Sequence, residues 1–277
     1  MEYNDLRNQL GSDMRKADLL FFLAMFLAFA DASCACMPFR LGYVNQHRPP
    51  YFLGSGSSEP RAPGATVELI RAIAASAGCQ VISVRLPPLR LRQALGHADI
   101  DAMLMDANDS DLSTYALPQT RNGKLDDSRA IPMYTVVFVR AGDGIPLDTD
   151  PRTAFATRRL GMNNGASLAA QMRAQGFNID DGAQDGERNL EKLIRGRIDG
   201  YAATLVAPTH MDAFITATYG KQLARIEKPL RIHHFWLGFS KRYFERNQAQ
   251  VEAMWGWLGT HGHARFVELV EQYQRTP

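Results

Sequence analysis

Three short stretches carry residue types that can hold a small polar molecule. In "RLGYVNQHRPPYF", residues 40–52, a strand-like run breaks into His47, Pro49, Pro50, Tyr51 and Phe52. Prolines lose little entropy on ordering and flat rings give contact area with few rotors, so His47, Tyr51 and Phe52 read as one wall of a pocket. The competing reading has Tyr51 and Phe52 covering a core. In "DIDAMLMDAND", residues 99–109, Met105, Asp106 and Asn108 close a buried run. An acid at a strand's carboxyl end meets an ammonium or guanidinium group, or else caps the turn that follows. In "NNGASLAAQ", residues 163–171, Gly165, Ala166 and Ser167 open a helix. Its first N–H groups and positive dipole end suit a carboxylate or phosphate, and Ser167 can serve as N-cap at the same time.

Other chemistry has little support. There is no G-x-S-x-G, no H-E-x-x-H and no glutamate paired with a second acid at a cleft position. His233 and His234 are adjacent in an extended run, where successive side chains point to opposite faces. His47 has no second histidine or cysteine at ligand spacing. Neither a metal nor another cofactor is expected, and an enzyme remains the minor alternative. The net charge is +2 and no lysine-arginine block exceeds a pair, which argues against nucleic acid as a partner.

Strand-like and helix-like segments alternate along the chain, the signature of an α/β fold. Strands are expected at 39–44, 80–85, 99–105, 131–140, 160–163, 198–205, 222–227 and 230–239. Helices are expected at 66–77, where Val67, Ile70, Ile73, Ala74 and Ala77 share a face, and at 89–95, 167–175, 187–195, 208–218, 241–258 and 263–274. The polar stretch 106–130 is long for a structureless loop, so it is functional or hides a short helix. "LRQALGHADIDAML" and "LEKLIRGRIDGYAA" echo one another as helix, glycine, turn and x-Asp-(Ala/Gly), which suggests two similar lobes.

The start of the chain reads as a targeting segment. Met14-Arg15-Lys16 leads into the apolar Leu19 to Ala30 and the small residues "DASCA", the pattern of a secretory signal peptide. Residues 1–13 read as an over-long start, with Met14 the more natural initiator. Cleavage after Ala32 or after Ala35 fits, and the second cut leaves Cys36 and Cys79. Both precede expected strands, so if those strands are parallel neighbours a Cys36–Cys79 disulfide forms in an oxidising compartment. Lipidation at Cys34 or Cys36 is the rival, although neither follows a leucine-type lipobox.

The order of these motifs resembles the family 3 periplasmic solute-binding proteins, which include amino-acid receptors of ABC transporters. The resemblance runs from about residue 38 to 275 through "RLGYVNQHRPPYF", "GATVELIRAIAASAG", "LRQALGHADIDAML", "IPMYTVVFVRAG", "LGMNNGASL", "LIRGRIDGYAA", "WLGFSKRYF" and "HGHARFVELVEQY". It implies an α/β, two-lobed periplasmic binding protein-like (type II) fold with two hinge crossings near 134–140 and 230–239. Residues 1–35 would be the start and signal, 36–134 with 236–277 the first lobe, and 135–235 the second. It also implies a periplasmic monomer that takes a small-molecule ligand between its lobes, for an ABC permease or, alternatively, for a membrane sensor.

Residue by residue, the family's aromatic wall falls on His47. The family's Thr-x-x-Arg motif, whose arginine grips an α-carboxylate, is absent at its usual spacing; Arg129 and Arg121 are the displaced candidates. The family's aspartate for the α-ammonium is replaced by Thr204 or Leu205. Such a receptor is expected to take a small polar solute, amino-acid-like or another anionic or zwitterionic metabolite, and the two missing contacts open the question of a ligand other than an α-amino acid.

Overall fold

The computed structural model describes residues 36–275. The expected signal segment, both cleavage positions and Cys34 lie outside them. Among the described residues no helix is long and apolar enough to cross a membrane.

The first half is built on the strands β1 (Phe39–Val44), β2 (Val81–Leu86) and β3 (Ala102–Asp106). β1 runs parallel to β2 from Phe39↔Val81 to Val44↔Leu86 and meets β3 at Leu41↔Ala102. Cys36 and Cys79 stand just ahead of β1 and β2 and form a disulfide with Cα atoms 4.8 Å apart. Helices α1 (Ala65–Ser76) and α2 (Pro88–Gly96) are the crossovers, as parallel pairing requires. α1 buries Val67, Leu69, Ile70, Ile73 and Ala74. The polar stretch 106–130 holds two single 3₁₀ turns, Asp109–Ser113 and Asp127–Arg129, around the short β4 (Tyr115–Ala116).

β5 (Ile131–Arg140) then carries the chain across. The second half adds α3 (Pro151–Ala154), β6 (Arg159–Asn163), α4 (Ser167–Ala174), β7 (Asn178–Ala183), α5 (Gly186–Ile194), β8 (Gly200–Leu205), α6 (Asp212–Tyr219) and β9 (Leu223–Arg225). β10 (Arg231–Ser240) returns to the first half, which α7 (Lys241–Arg246), α8 (Gln248–Trp257) and α9 (His263–Arg275) complete. The path of the sheet is β2-β1-β3-β10-β5-β8-β6-β7, with β4 on β10 and β9 on β5. The two crossings pair antiparallel from Arg231↔Thr135 to Phe235↔Ile131. β5 then turns to β8, and β10 to β3.

The sequence echo is a structural repeat. Asp101 accepts the Arg40 N–H at 2.8 Å, and Asp199 accepts the Arg159 N–H at 2.7 Å. In return, the N–H groups of Asp101 and Asp199 donate to the carbonyls of Arg40 and Arg159, both at 2.8 Å. Each aspartate thereby clamps the first residues of its half's leading strand. The following glycines are equivalent too: a Cβ on Gly42 would lie 2.2 Å from Ile100 Cδ1, and one on Gly161 2.4 Å from Ile198 Cδ1.

Three differences from the expected elements have simple causes. β7, "NIDDGA", was not foreseen because it is a polar, half-exposed edge strand held only by β6. The helix expected from 208 begins at Asp212, after a turn closed by His210 N–H to Ala207 O and Asp212 N–H to Thr209 O. The helix expected over 241–258 breaks at Asn247, which ends α7 and opens α8.

Candidate functional site

A cleft of about 1050 Å³ opens between the two halves. Its first wall is the loop after β1. The N-terminus of α1 has no side-chain cap; instead the N–H groups of Ala65 and Thr66 donate to the carbonyls of Pro50 and Tyr51 at 3.0 and 3.1 Å. These are donors that a helix start cannot satisfy internally, so they pin the loop. Gly64 makes the approach possible at φ 110°, since a Cβ there would lie 2.4 Å from Tyr51 O. Arg85 holds the far side by donating to the carbonyls of Ser58, Leu53 and Gly54 at 2.7, 3.2 and 2.6 Å.

On that loop His47 lines the cleft from an exposed position, its Nδ1 accepting the Gly54 N–H at 3.0 Å. Phe52 stacks on Tyr43 at 6.0 Å, and Tyr51 packs edge-on against Phe266 at 5.7 Å. Both rings therefore serve the core as well as the cleft. Burial raises the Tyr51 phenol above its ordinary range, and its Oη accepts the Val206 N–H at 3.0 Å.

Met105, Asp106 and Asn108 also line the cleft, but their polar groups are engaged within the protein. Asp106 is bound by Arg92, whose Nη2 lies 2.9 Å from its Oδ1 and whose Nη1 reaches Asp111 at 3.1 Å. Of the two readings for Asp106, the turn cap falls to Asn108, while the Asp106 carboxylate lines the cleft in an ion pair with Arg92. Asn108 caps the following 3₁₀ turn through the Ser110 N–H at 2.9 Å. Met105 is 2% exposed and fills the core under the cleft.

From the second half, Gly165 and Ala166 line the cleft at the start of α4. Ala166, not Ser167, occupies the N-cap position, and Ser167 is the first helical residue. Gly165, at φ 71°, faces Pro88 so closely that a Cβ would come within 2.7 Å of the Pro88 Cβ. Thr204 contributes a hydroxyl 3.1 Å from that of Thr135.

Arg129 is not brought to the cleft. Its guanidinium meets Asp126 at 2.8 Å, Glu252 at 2.6 Å and the Gln119 carbonyl at 2.7 Å, and lies over the Trp255 ring. The 3₁₀ turn Asp127–Arg129 aims it at α8, so its expected role as a ligand-gripping arginine is corrected to a structural one. Arg121 is exposed and does not line the cleft either.

Sequence reasoning missed Arg48, which stands beside His47 in the first loop. Its Nη2 donates to Gln46 Oε1 and, across the cleft, to Asn164 O at 2.5 Å. Its Nε is buried without a hydrogen-bond partner. Burial pulls its pKa down, while Tyr201 and Asp185 act to raise it. Tyr201 is itself buried, its phenol raised by burial and donating to Asn163 Oδ1 at 3.1 Å. Asp185 caps α5 by accepting the Arg188 N–H at 2.9 Å. The resemblance points to arginines after β3, at Arg121 and Arg129, whereas the fold delivers Arg48 from the loop after β1.

His233 was missed as well. The alternation along β10 turns it into the cleft at 7% exposure, with Nδ1 unpartnered, whereas His234 faces away toward Asp127, 3.7 Å distant. Burial, aided by Arg231, lowers the His233 pKa to about 4, so the ring is neutral at ordinary pH. Among the described residues no group of three or more histidine, cysteine or acidic side chains is placed to hold a metal ion.

Neither a protein-family model nor a curated protein matches the sequence. Solved structures do match. The chain is similar to an ancestral arginine-binding protein bound to glutamine, at TM-score 0.59 and 14% identity over 83% of this chain and 96% of that one. It is similar to the GluR0 ligand-binding core from Nostoc punctiforme in complex with L-glutamate, at TM-score 0.58 and 14% identity over 86% and 98%. A substrate-binding protein of an ABC uptake transporter from Streptococcus pneumoniae with bound histidine gives TM-score 0.58 and 16% identity over 85% and 92%. The chain has the two-lobed α/β fold of the type II periplasmic binding proteins, the fold of the family 3 solute-binding proteins.

Proposed function

We propose that this chain is a periplasmic solute-binding protein that captures a small solute with an anionic group between its lobes and passes it to an ABC permease. The lobes are taken as 36–134 with 236–277 and 135–235, and export follows from the signal-like segment Leu19 to Ala30. The observation that carries the reading is the Arg48 guanidinium: it lines the cleft, its Nη2 meets only the neutral oxygens of Gln46 and Asn164, and Asn164 stands just ahead of the α4 start. An arginine whose charge has no carboxylate partner is matched by an anionic solute group, and charge-assisted hydrogen bonds of this kind are the strong ones. The dipole of α4 favours negative charge at the same place. The neighbours with bound glutamine, glutamate and histidine support the cleft as the place of capture.

The test is a thermal-shift screen of the exported protein against a broad metabolite panel. A ligand at a hundredfold excess over its dissociation constant adds about 2.7 kcal/mol of stability. Such stabilisation, with compaction in solution scattering, is the expected result; a panel in which no compound stabilises the protein would overturn the reading, and turnover of one would favour an enzyme instead.

A further inference from the structure

The geometry points to a narrower ligand class: monocarboxylates with a flat or branched apolar body and no α-ammonium group. This rests on the solute-binding reading above and concerns which solutes the cleft prefers.

The cationic side of the cleft is set by two arginines. Arg92 has both terminal nitrogens committed to Asp106 and Asp111. Arg48 lines the cleft beside the α4 start, and its Nη2 meets only the neutral oxygens of Gln46 and Asn164. One carboxylate matches the charge of Arg48, and a second anionic group would have no comparable partner among the described cleft residues.

The acids of the cleft are poorly suited to an ammonium. Asp106 and Asp111 are bound to Arg92, and Asp111 also accepts the Asn108 N–H at 2.9 Å. Asp185 caps α5, lies 3.5 Å from the Arg188 guanidinium and acts on Arg48. Glu187 is exposed. An α-ammonium stripped of water in the cleft would find Asp106, Asp111 and Asp185 each already serving a cation or a helix start, and desolvating an uncompensated charge is costly.

The body of the ligand meets an apolar interior. Met103, Met105, Met133 and Met162 line the cleft with Phe235 and the neutral His233. His233 and Met133 are cross-strand partners, so a thioether and an uncharged imidazole are neighbours on one face. Thioethers are polarizable and favour aromatic faces, and they adapt to branched chains. The volume, about 1050 Å³, lies at the upper end of what small-molecule sites offer, ample for a ring or branched chain beyond the carboxylate.

The experiment is calorimetry and thermal shift on the exported protein with pairs of probes that differ only in the ammonium: 3-phenylpropanoate against L-phenylalanine, and 4-methylpentanoate against L-leucine. Sugars and dicarboxylates are included for contrast. The expected result is binding at least tenfold tighter for the deaminated member of a pair. Arg48→Met should weaken it about a hundredfold, and Arg48→Lys, which keeps the charge, should weaken it less. Tighter binding of the amino acids, particularly if Asp185→Asn abolishes it, overturns the ligand class and leaves the solute-binding reading standing. The same holds if only a sugar or dicarboxylate binds. Binding of the deaminated acids that is unchanged in both Arg48 variants, with each variant's fold verified by circular dichroism, overturns the assigned anchor. No binding of any probe or panel metabolite defeats both readings.

Discussion

The phenol oxygen of Tyr51 accepts the backbone N–H of Val206 at 3.0 Å, tying the loop after the first strand to the residue that leaves β8. Tyr51 also packs on Phe266, and Val206 is fully buried among the core residues of the first half. Removing the hydroxyl in Tyr51→Phe leaves a buried N–H unpaired while keeping the ring. The expected cost is about 1–3 kcal/mol. In a chain of this size that lowers the thermal midpoint by about 2–4 °C for each kcal/mol, which calorimetry can read.

Gly165 and Pro88 meet at the mouth of the cleft. Gly165→Ala would place a Cβ 2.7 Å from the Pro88 Cβ, in a residue whose φ is 71°. The backbone penalty alone is about 1–2 kcal/mol. The close approach should add a wider mouth, so the variant is expected to fold, to scatter as a less compact particle in the presence of ligand, and to bind at least about tenfold more weakly, a factor equal to about 1.4 kcal/mol. Affinity equal to the unaltered protein would show that the mouth closes without this contact.

The aspartates of the repeat can be compared directly. Asp101→Ala and Asp199→Ala each take the acceptor from a strand N–H, that of Arg40 in β1 and that of Arg159 at the start of β6, and each is expected to cost about 0.5–1.5 kcal/mol in denaturant unfolding. Asp101 should cost more, because the Arg40 side chain also grips it at 2.8 and 2.9 Å, whereas Arg159 Nη1 reaches only the Arg197 carbonyl. Equal costs would assign the whole effect to the strand N–H.

This repeat also marks how far the sequence could be read. The helix-glycine-Ile-Asp units were visible because each is a local device that the chain spells out within fifteen or so residues, and the alternation of strands and helices followed from the same local rules. The site was less legible. His47, Tyr51, Phe52, Met105, Asp106, Asn108, Gly165, Ala166 and Thr204 all line the cleft, yet the partners that decide their chemistry come from elsewhere. Arg92 takes Asp106 from α2, and Arg48 acquires its role by reaching Asn164, 116 residues away. Arg129 is governed in the same way: Glu252, which turns it from the cleft, lies on α8, far along the chain.

The disulfide gives a prediction of its own. Cys36 and Cys79 are 43 residues apart, and closing a loop of that length removes chain entropy from the unfolded state. The chain-entropy relation gives about 4 kcal/mol, less any strain in the folded protein. Reduction, or the Cys36→Ser and Cys79→Ser pair, should lower the unfolding free energy by a comparable amount, and intact-mass measurement of the oxidised protein should find no free thiol at either position.

His233 makes the fold sensitive to acid. Its folded pKa is near 4, below the ordinary histidine value of 6.5, because burial and Arg231 disfavour the charged ring; His234 acts the same way and Asp106 opposes them. The unfolded chain therefore binds the proton first as pH falls. Stability is fully retained above about 6.5, declines between there and about 4, and loses nothing more from this group below that. His210 is depressed as well, chiefly by burial, and adds in the same direction. His233→Asn removes the titration. Its stability relative to the unaltered protein should therefore improve steadily as pH is lowered from 6.5 to 4 in denaturant unfolding. A difference that stays constant across that window would mean that the imidazole ring takes up its proton in the folded cleft as readily as in the unfolded chain.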